Sequence, residues 1–248
     1  MFTFIIFLAV FILPMPIMVV AARKRGNGYQ AILEGVIGVA LTMVLYFVIA
    51  AINGMPVGQA IASNLQTISE NMASNAEFAK LAGLEDQSYT ERVTAISQIY
   101  TYAINALPAV ILSWATIIAY FEYRIISRAS LKSKAPLPQL SKFKNFSMPW
   151  KALWGWILIY ILTWIVVTIG FEQGKVLQIN IQILFELAFQ IQGMAVIFYF
   201  IESKRQPKVL AALLCIVFIG TNLGKLLLST LGFLDLALGL RRIRIKRQ

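Results

Sequence analysis

The segment VLAALLCIVFIGTNLGKLLLSTLGFLDLALG, Val209–Gly239, holds two charges in thirty-one residues, Lys225 and Asp235. It runs into Arg241-Arg242-Ile243-Arg244-Ile245-Lys246-Arg247. An apolar stretch followed by five cations stops a chain in a bilayer and keeps its tail on the cytoplasmic side. As one continuous helix the segment would be about 46 Å long, against a hydrocarbon core of about 30 Å. A single crossing would also leave the cationic tail outside. Gly220-Thr221-Asn222-Leu223-Gly224 lies at its middle and can turn the chain. The reading is therefore two short helices, about 208–221 and 224–240, that return the tail to the cytoplasm.

The rest of the chain has the same character. Of 248 residues 59% are hydrophobic and 13% charged, with mean hydropathy +0.74. Soluble domains carry roughly 25% charged residues. The composition implies an all-α, polytopic transmembrane helical bundle forming a single integral membrane domain, with about five full spans plus the C-terminal pair. The net charge of +11 sits beside apolar spans, so it reads as membrane topology and headgroup contact rather than nucleic-acid binding. Cys215 is the one cysteine, so there is neither a disulfide framework nor a cysteine metal site, and there is no histidine. The usual triads are thereby excluded, and no phosphate-binding glycine loop or metal-ligand spacing occurs. The chain reads as a non-enzyme without a cofactor.

Phe2–Ala22 is uncharged and ends at Arg23-Lys24-Arg25, which reads as a span running inward, kinked or broken by Pro14 and Pro16. Nothing precedes it to deliver an N-terminus outward, so an earlier start or a lost upstream span is expected. The second span is about Ala31–Ile52, with Glu34 placed to pair with Arg23 or Arg25. Residues 53–98 carry five acids and two bases, −3 in all, whereas 124–151 carry seven bases and no acid. That asymmetry makes 53–98 external and 124–151, 202–208 and 241–248 cytoplasmic. Val57, Ile61, Leu65, Ile68 and Met72 recur at helical spacing, giving an amphipathic helix on the outer surface. Ser88-Tyr89-Thr90-Glu91 is spaced as a capping box. It should open a long helix whose membrane part is about Ile99–Phe121, kinked at Pro108. Two further spans follow, about Ala152–Phe171 with Trp150, Trp154 and Trp156 near the interface, and about Ile179–Ile201.

Gln178, Gln182, Glu186 and Gln190 recur every four residues and form one slowly drifting stripe on a helix. Polar groups on one face of a lipid-embedded helix point into the bundle or into a wet cavity. Glu186 lies about 10 Å below the outer edge by helical rise. If the chain turns near Gly224, Lys225 reaches a similar depth and is its natural partner. Asn222 and Thr221 would add donors at the break, as at discontinuous helices of transporters. The candidate ligand site is Gln182, Glu186, Gln190, Asn222 and Lys225. The bland alternative is interhelical glue, since Gln and Glu also hold membrane helices together. Gly220-x-x-x-Gly224 matches a helix-packing motif as well.

Several passages resemble the YybS-like family of predicted membrane proteins, domain of unknown function 2232. They are Leu13-Pro14-Met15-Pro16-Ile17 before Arg23-Lys24-Arg25-Gly26, then Phe146-Ser147-Met148-Pro149-Trp150. Gln192-Gly193-Met194-Ala195-Val196 and Leu231-Gly232-Phe233-Leu234-Asp235, leading to Arg241-Arg242, complete them. The resemblance covers most of the chain and implies a bacterial, multi-pass cell-membrane protein with further spans ahead of the Leu-Pro-Met-Pro region. That family is more distantly similar to substrate-binding subunits of energy-coupling-factor vitamin transporters. This similarity implies a small ligand held in a helical bundle, with a transmembrane coupling protein and ATPases as partners. Two functions follow: a solute-binding subunit of an uptake transporter, or a structural or assembly protein that holds partners and transports nothing.

Overall fold

In the computed structural model residues 12, 14–52 and 57–241 are described. Most of the expected first span, the side chains of Val57 and Ile61, and the tail from 242 onward lie outside them. Among the described residues there are ten α-helices and no strand. They are α1 (Pro14–Arg25), α2 (Gly28–Ile52), α3 (Val57–Ser74), α4 (Ala76–Leu81), α5 (Tyr89–Asn105) and α6 (Leu107–Ala129). After a loop with two short 3₁₀ turns come α7 (Trp150–Thr168), α8 (Gly174–Ser203), α9 (Lys208–Ile219) and α10 (Asn222–Leu238). In lipid the backbone must satisfy its own hydrogen bonds, which is why apolar runs of this length become helices. Among the described residues four helices are long and apolar enough to cross a membrane, namely α2, α6, α7 and α8. Their outward residues, including Leu41, Val44 and Leu45 of α2 and Leu158, Leu162 and Trp164 of α7, are large and apolar. Lipid explains such faces; water would not.

The chain divides into two compact units, residues 1–138 and 139–248. In the first, α2 and α6 pack antiparallel. Val39 meets Ala115, with Val36, Met43 and Ile118 around them. Gly35 closes onto Ala119 and onto Met18 of α1. Arg25 at the end of α1 pairs with Glu34 of α2 at 3.0 Å, one of the two partners expected for that acid. The expected amphipathic segment is α3, whose half-buried Leu65, Ile68 and Met72 go with packing against α5. Tyr100 Oη reaches Met72 Sδ at 3.2 Å. Ser88 and Glu91 form the expected capping box. Hydrogen bonds from the Ser88 hydroxyl and backbone N–H hold the Glu91 carboxyl below the usual carboxylate range.

One sequence expectation fails here. The helix opened by Ser88 does not continue through Pro108 as a kinked span. It ends at Asn105, and α6 starts at Leu107 with Pro108 in its first turn. Proline lacks the N–H that would bond Ile104, and its fixed φ suits a helix start better than an interior. The apolar span therefore begins about eight residues later than Ile99, and Arg124 and Arg128 belong to its final turns.

The second unit is built on α8 and α10. Lys144 ties their far ends together: its Nζ bonds Glu202 at 2.8 Å, and its carbonyl accepts from Arg241 Nη1 at 2.9 Å. The C-terminal ends of α8 and α10 thus lie side by side, and the two helices run parallel. Helix α9 starts beside that same end, five residues after Ser203. The pair α9–α10 bends by 118° at Gly220-Thr221, so it enters and leaves at one end of the unit. The expected short-helix pair is present, and Thr221 caps α10 by accepting from Gly224 N at 3.1 Å.

Candidate functional site

Where α8 and α10 cross, both helices carry glycine. A Cβ on Gly193 would strike the Leu228 carbonyl, and one on Gly232 would strike the Phe189 carbonyl. Only hydrogen fits at either position, so the backbones touch. Glu186 and Lys225 each stand seven residues before their glycine, which places them at about the same depth, as the sequence implied. Towards their N-terminal ends α8 and α10 leave a groove that α7 borders.

The groove has a volume of about 470 Å³. Its apolar lining includes Ile157, Tyr160, Phe185, Phe189, Leu226 and Phe233; its polar groups are Gln182, Glu186, Ser229 and Thr230. The aromatic rings form a connected wall. Phe185 stands edge-on to Trp156 at 5.7 Å and 4.4 Å from Phe189, which lies 5.7 Å from Phe233. Such T-shaped and tilted contacts hold rings in fixed orientations. Helical spacing of four puts Gln182 and Glu186 on one face, and Gln182 Nε2 donates to Glu186 Oε1 at 3.0 Å. Across from them Thr230 lines the groove, its hydroxyl donating to the Leu226 carbonyl at 2.8 Å.

Of the five residues proposed from sequence, the structure brings Gln182 and Glu186 into this groove. Gln190 is half-buried and does not line it. Asn222 and Lys225 are exposed at the start of α10. The expected Glu186–Lys225 ion pair is not formed: the Glu186 carboxylate is engaged by Gln182, and Lys225 stands one turn before Ser229 at the rim. Gly220 and Gly224, matched to a packing motif, instead flank the bend. Gly224 does let α9 approach closely, since a Cβ there would strike the Phe218 backbone, whereas the contact between α8 and α10 falls to Gly193 and Gly232.

A second polar cluster was not assigned a role from sequence. Asp235 is buried and accepts from Gln192 Nε2 at 2.6 Å and from Arg241 Nη2 at 2.6 Å. Gln192, fully buried, uses its Oε1 to accept from Met148 N at 3.1 Å. Arg241 Nη1 donates to the carbonyls of Lys144 and Phe146. Gly239 makes this possible: with φ at +66° it ends α10 in the left-handed region, so that Arg241 folds back onto Asp235 six residues earlier. The cluster clamps the loop 144–148 to both long helices. Its buried side-chain polar atoms all have hydrogen-bond partners within the protein. Its signal in the sequence was the pair of polar residues Gln192 and Asp235 in apolar surroundings, the first adjoining Gly193 and the second three residues after Gly232.

A family model described as "Predicted membrane protein (DUF2232)" matches residues 3–236, and the chain belongs to that family. No curated protein and no solved structure matches it.

Proposed function

We propose that this DUF2232 member is a non-enzymatic, multi-pass protein of a bacterial cell membrane that binds a small solute for uptake. The observation that carries the reading is the groove between α7, α8 and α10. It is of a size for a small molecule, walled by aromatic rings and supplied with one carboxylate and its amide neighbour. A concave, mostly apolar site with a few convergent polar groups is the usual form of a small-molecule site. Its chemistry suits a solute with an apolar ring and a donor or cationic group directed at Glu186. The same reading gives the protein a transmembrane coupling protein and ATPases as partners.

Native mass spectrometry of the detergent-solubilised protein tests this, with a small-molecule adduct expected. Glu186→Gln keeps the size and hydrogen-bonding capacity but loses the charge. It should leave the melting temperature unchanged and weaken retention by roughly tenfold or more, the cost of a charge-assisted hydrogen bond of about 1.5–3 kcal/mol. A bare apo mass, with no thermal shift across a panel of vitamins and metabolites, would favour the assembly-protein reading instead.

The charge asymmetry supports cytoplasmic placement of 124–151 and external placement of 53–98. Single cysteines at Ser133 and Ser74, in a background lacking Cys215, report this on intact cells. An impermeant maleimide should label position 74 alone; labelling at 133 but not 74 reverses the orientation.

A further inference from the structure

Among the described residues, the buried side-chain oxygens without a hydrogen-bond partner are both those of Glu122. The residue is 4% exposed and lies within the apolar span of α6. The antiparallel register that sets Val39 beside Ala115 and Gly35 beside Ala119 carries Glu122 to the level of Ile32. At that level the buried residues of α1 and α2 are Ala21, Ala22, Ala31 and Ile32, whose side chains offer no donor.

The charged and titratable groups on the elements packed there are engaged elsewhere or exposed. Arg25 of α1 is paired with Glu34 of α2 at 3.0 Å. On α6, Tyr123 Oη donates to the Pro138 carbonyl at 2.8 Å, and Arg124 Nη1 donates to Tyr120 Oη at 2.8 Å. Arg23 and Lys24 of α1, Tyr29 of α2, Arg128 of α6 and Lys132 of the following 3₁₀ turn are exposed. None of these forms a hydrogen bond or ion pair with Glu122.

An ionised carboxylate cannot be kept in such a place without a partner, whereas a neutral carboxylic acid can. We propose that Glu122 is a proton-binding site of the first unit, a carboxylic acid within the membrane that carries one exchangeable proton. This is independent of the solute groove, which belongs to the second unit.

Dicyclohexylcarbodiimide, an apolar reagent, tests it on the full chain in membranes. A protonated carboxyl gives its proton to one carbodiimide nitrogen while its oxygen adds to the central carbon. The resulting O-acylisourea rearranges to a stable N-acylurea, so the whole reagent is retained and no group leaves. Peptide mapping of the wild-type chain locates the adduct without recourse to any variant. One adduct at Glu122 is expected, formed in acid and neutral buffer and declining by tenfold or more as the bath is made alkaline. Glu122→Gln should lose that adduct. A Glu122 that is never modified, or is modified equally at every pH, overturns the proposal. So does protection by sodium ions at constant pH, which would make the occupant a metal cation.

Discussion

The two units each bury an acid, and they treat it in opposite ways. Glu122 in the first is 4% exposed and Asp235 in the second 5%. Asp235 is surrounded by donors: the Gln192 amide, the Arg241 guanidinium and, at 3.3 Å, the Arg241 backbone N–H. Glu122 has none. Burial alone therefore says little about what an acid does in a membrane bundle. Where the fold supplies an arginine and an amide, the charge is kept and fastens a loop. Where it supplies alanines, the acid remains free to take up chemistry of its own.

The largest expected effect tests the partnered side. Asp235→Asn leaves Arg241 buried against an amide, and breaking a buried pair from one side costs about 3 kcal/mol or more. The melting temperature in detergent should fall accordingly. The double variant Asp235→Asn/Arg241→Met should recover much of the loss, because no uncompensated charge remains. A double variant as unstable as the sum of its singles would show that the two residues act separately, and the contrast between the units would lose its basis.

A smaller effect tests the other side. Glu122→Gln removes no ion pair, so stability at neutral pH should change by less than about 1 kcal/mol, the scale of one ordinary hydrogen bond. The same denaturation experiment reads it. A loss as large as that from Asp235→Asn would mean that Glu122 is a structural anion after all, and the two acids would then be alike.

The helical bundle was legible in the sequence because lipid imposes a simple rule: apolar length becomes helix. The C-terminal pair was legible too, since one crossing conflicted with both the helix length and the cationic tail. Pro108 was misjudged because proline is compatible with a kink or with a helix start, and the choice depends on how the flanking helices pack. The polar stripe was partly readable: a spacing of four placed Gln182 and Glu186 together. Whether Lys225 would close on Glu186 depended on side-chain direction, which depth alone does not set. Glu122 was passed over for a related reason. In the sequence it stands beside Tyr123 and Arg124 with nothing to set it apart, and only the packing of α1 and α2 shows that no cation reaches it.

The bend between α9 and α10 bears on how the protein is made. A segment that starts and finishes on one side moves no hydrophilic stretch across the bilayer. Arg241 at its end never has to be translocated, and the polar groups that must be drawn into lipid are few: Thr221, Asn222 and Lys225 near the bend, and further along Ser229, Thr230 and Asp235, the last already partnered. Insertion of this hairpin thus requires neither a translocation channel held open nor a downstream span to anchor it. It is free to occur last, once α8 is in place to receive α10 at the close approach of Gly193 and Gly232.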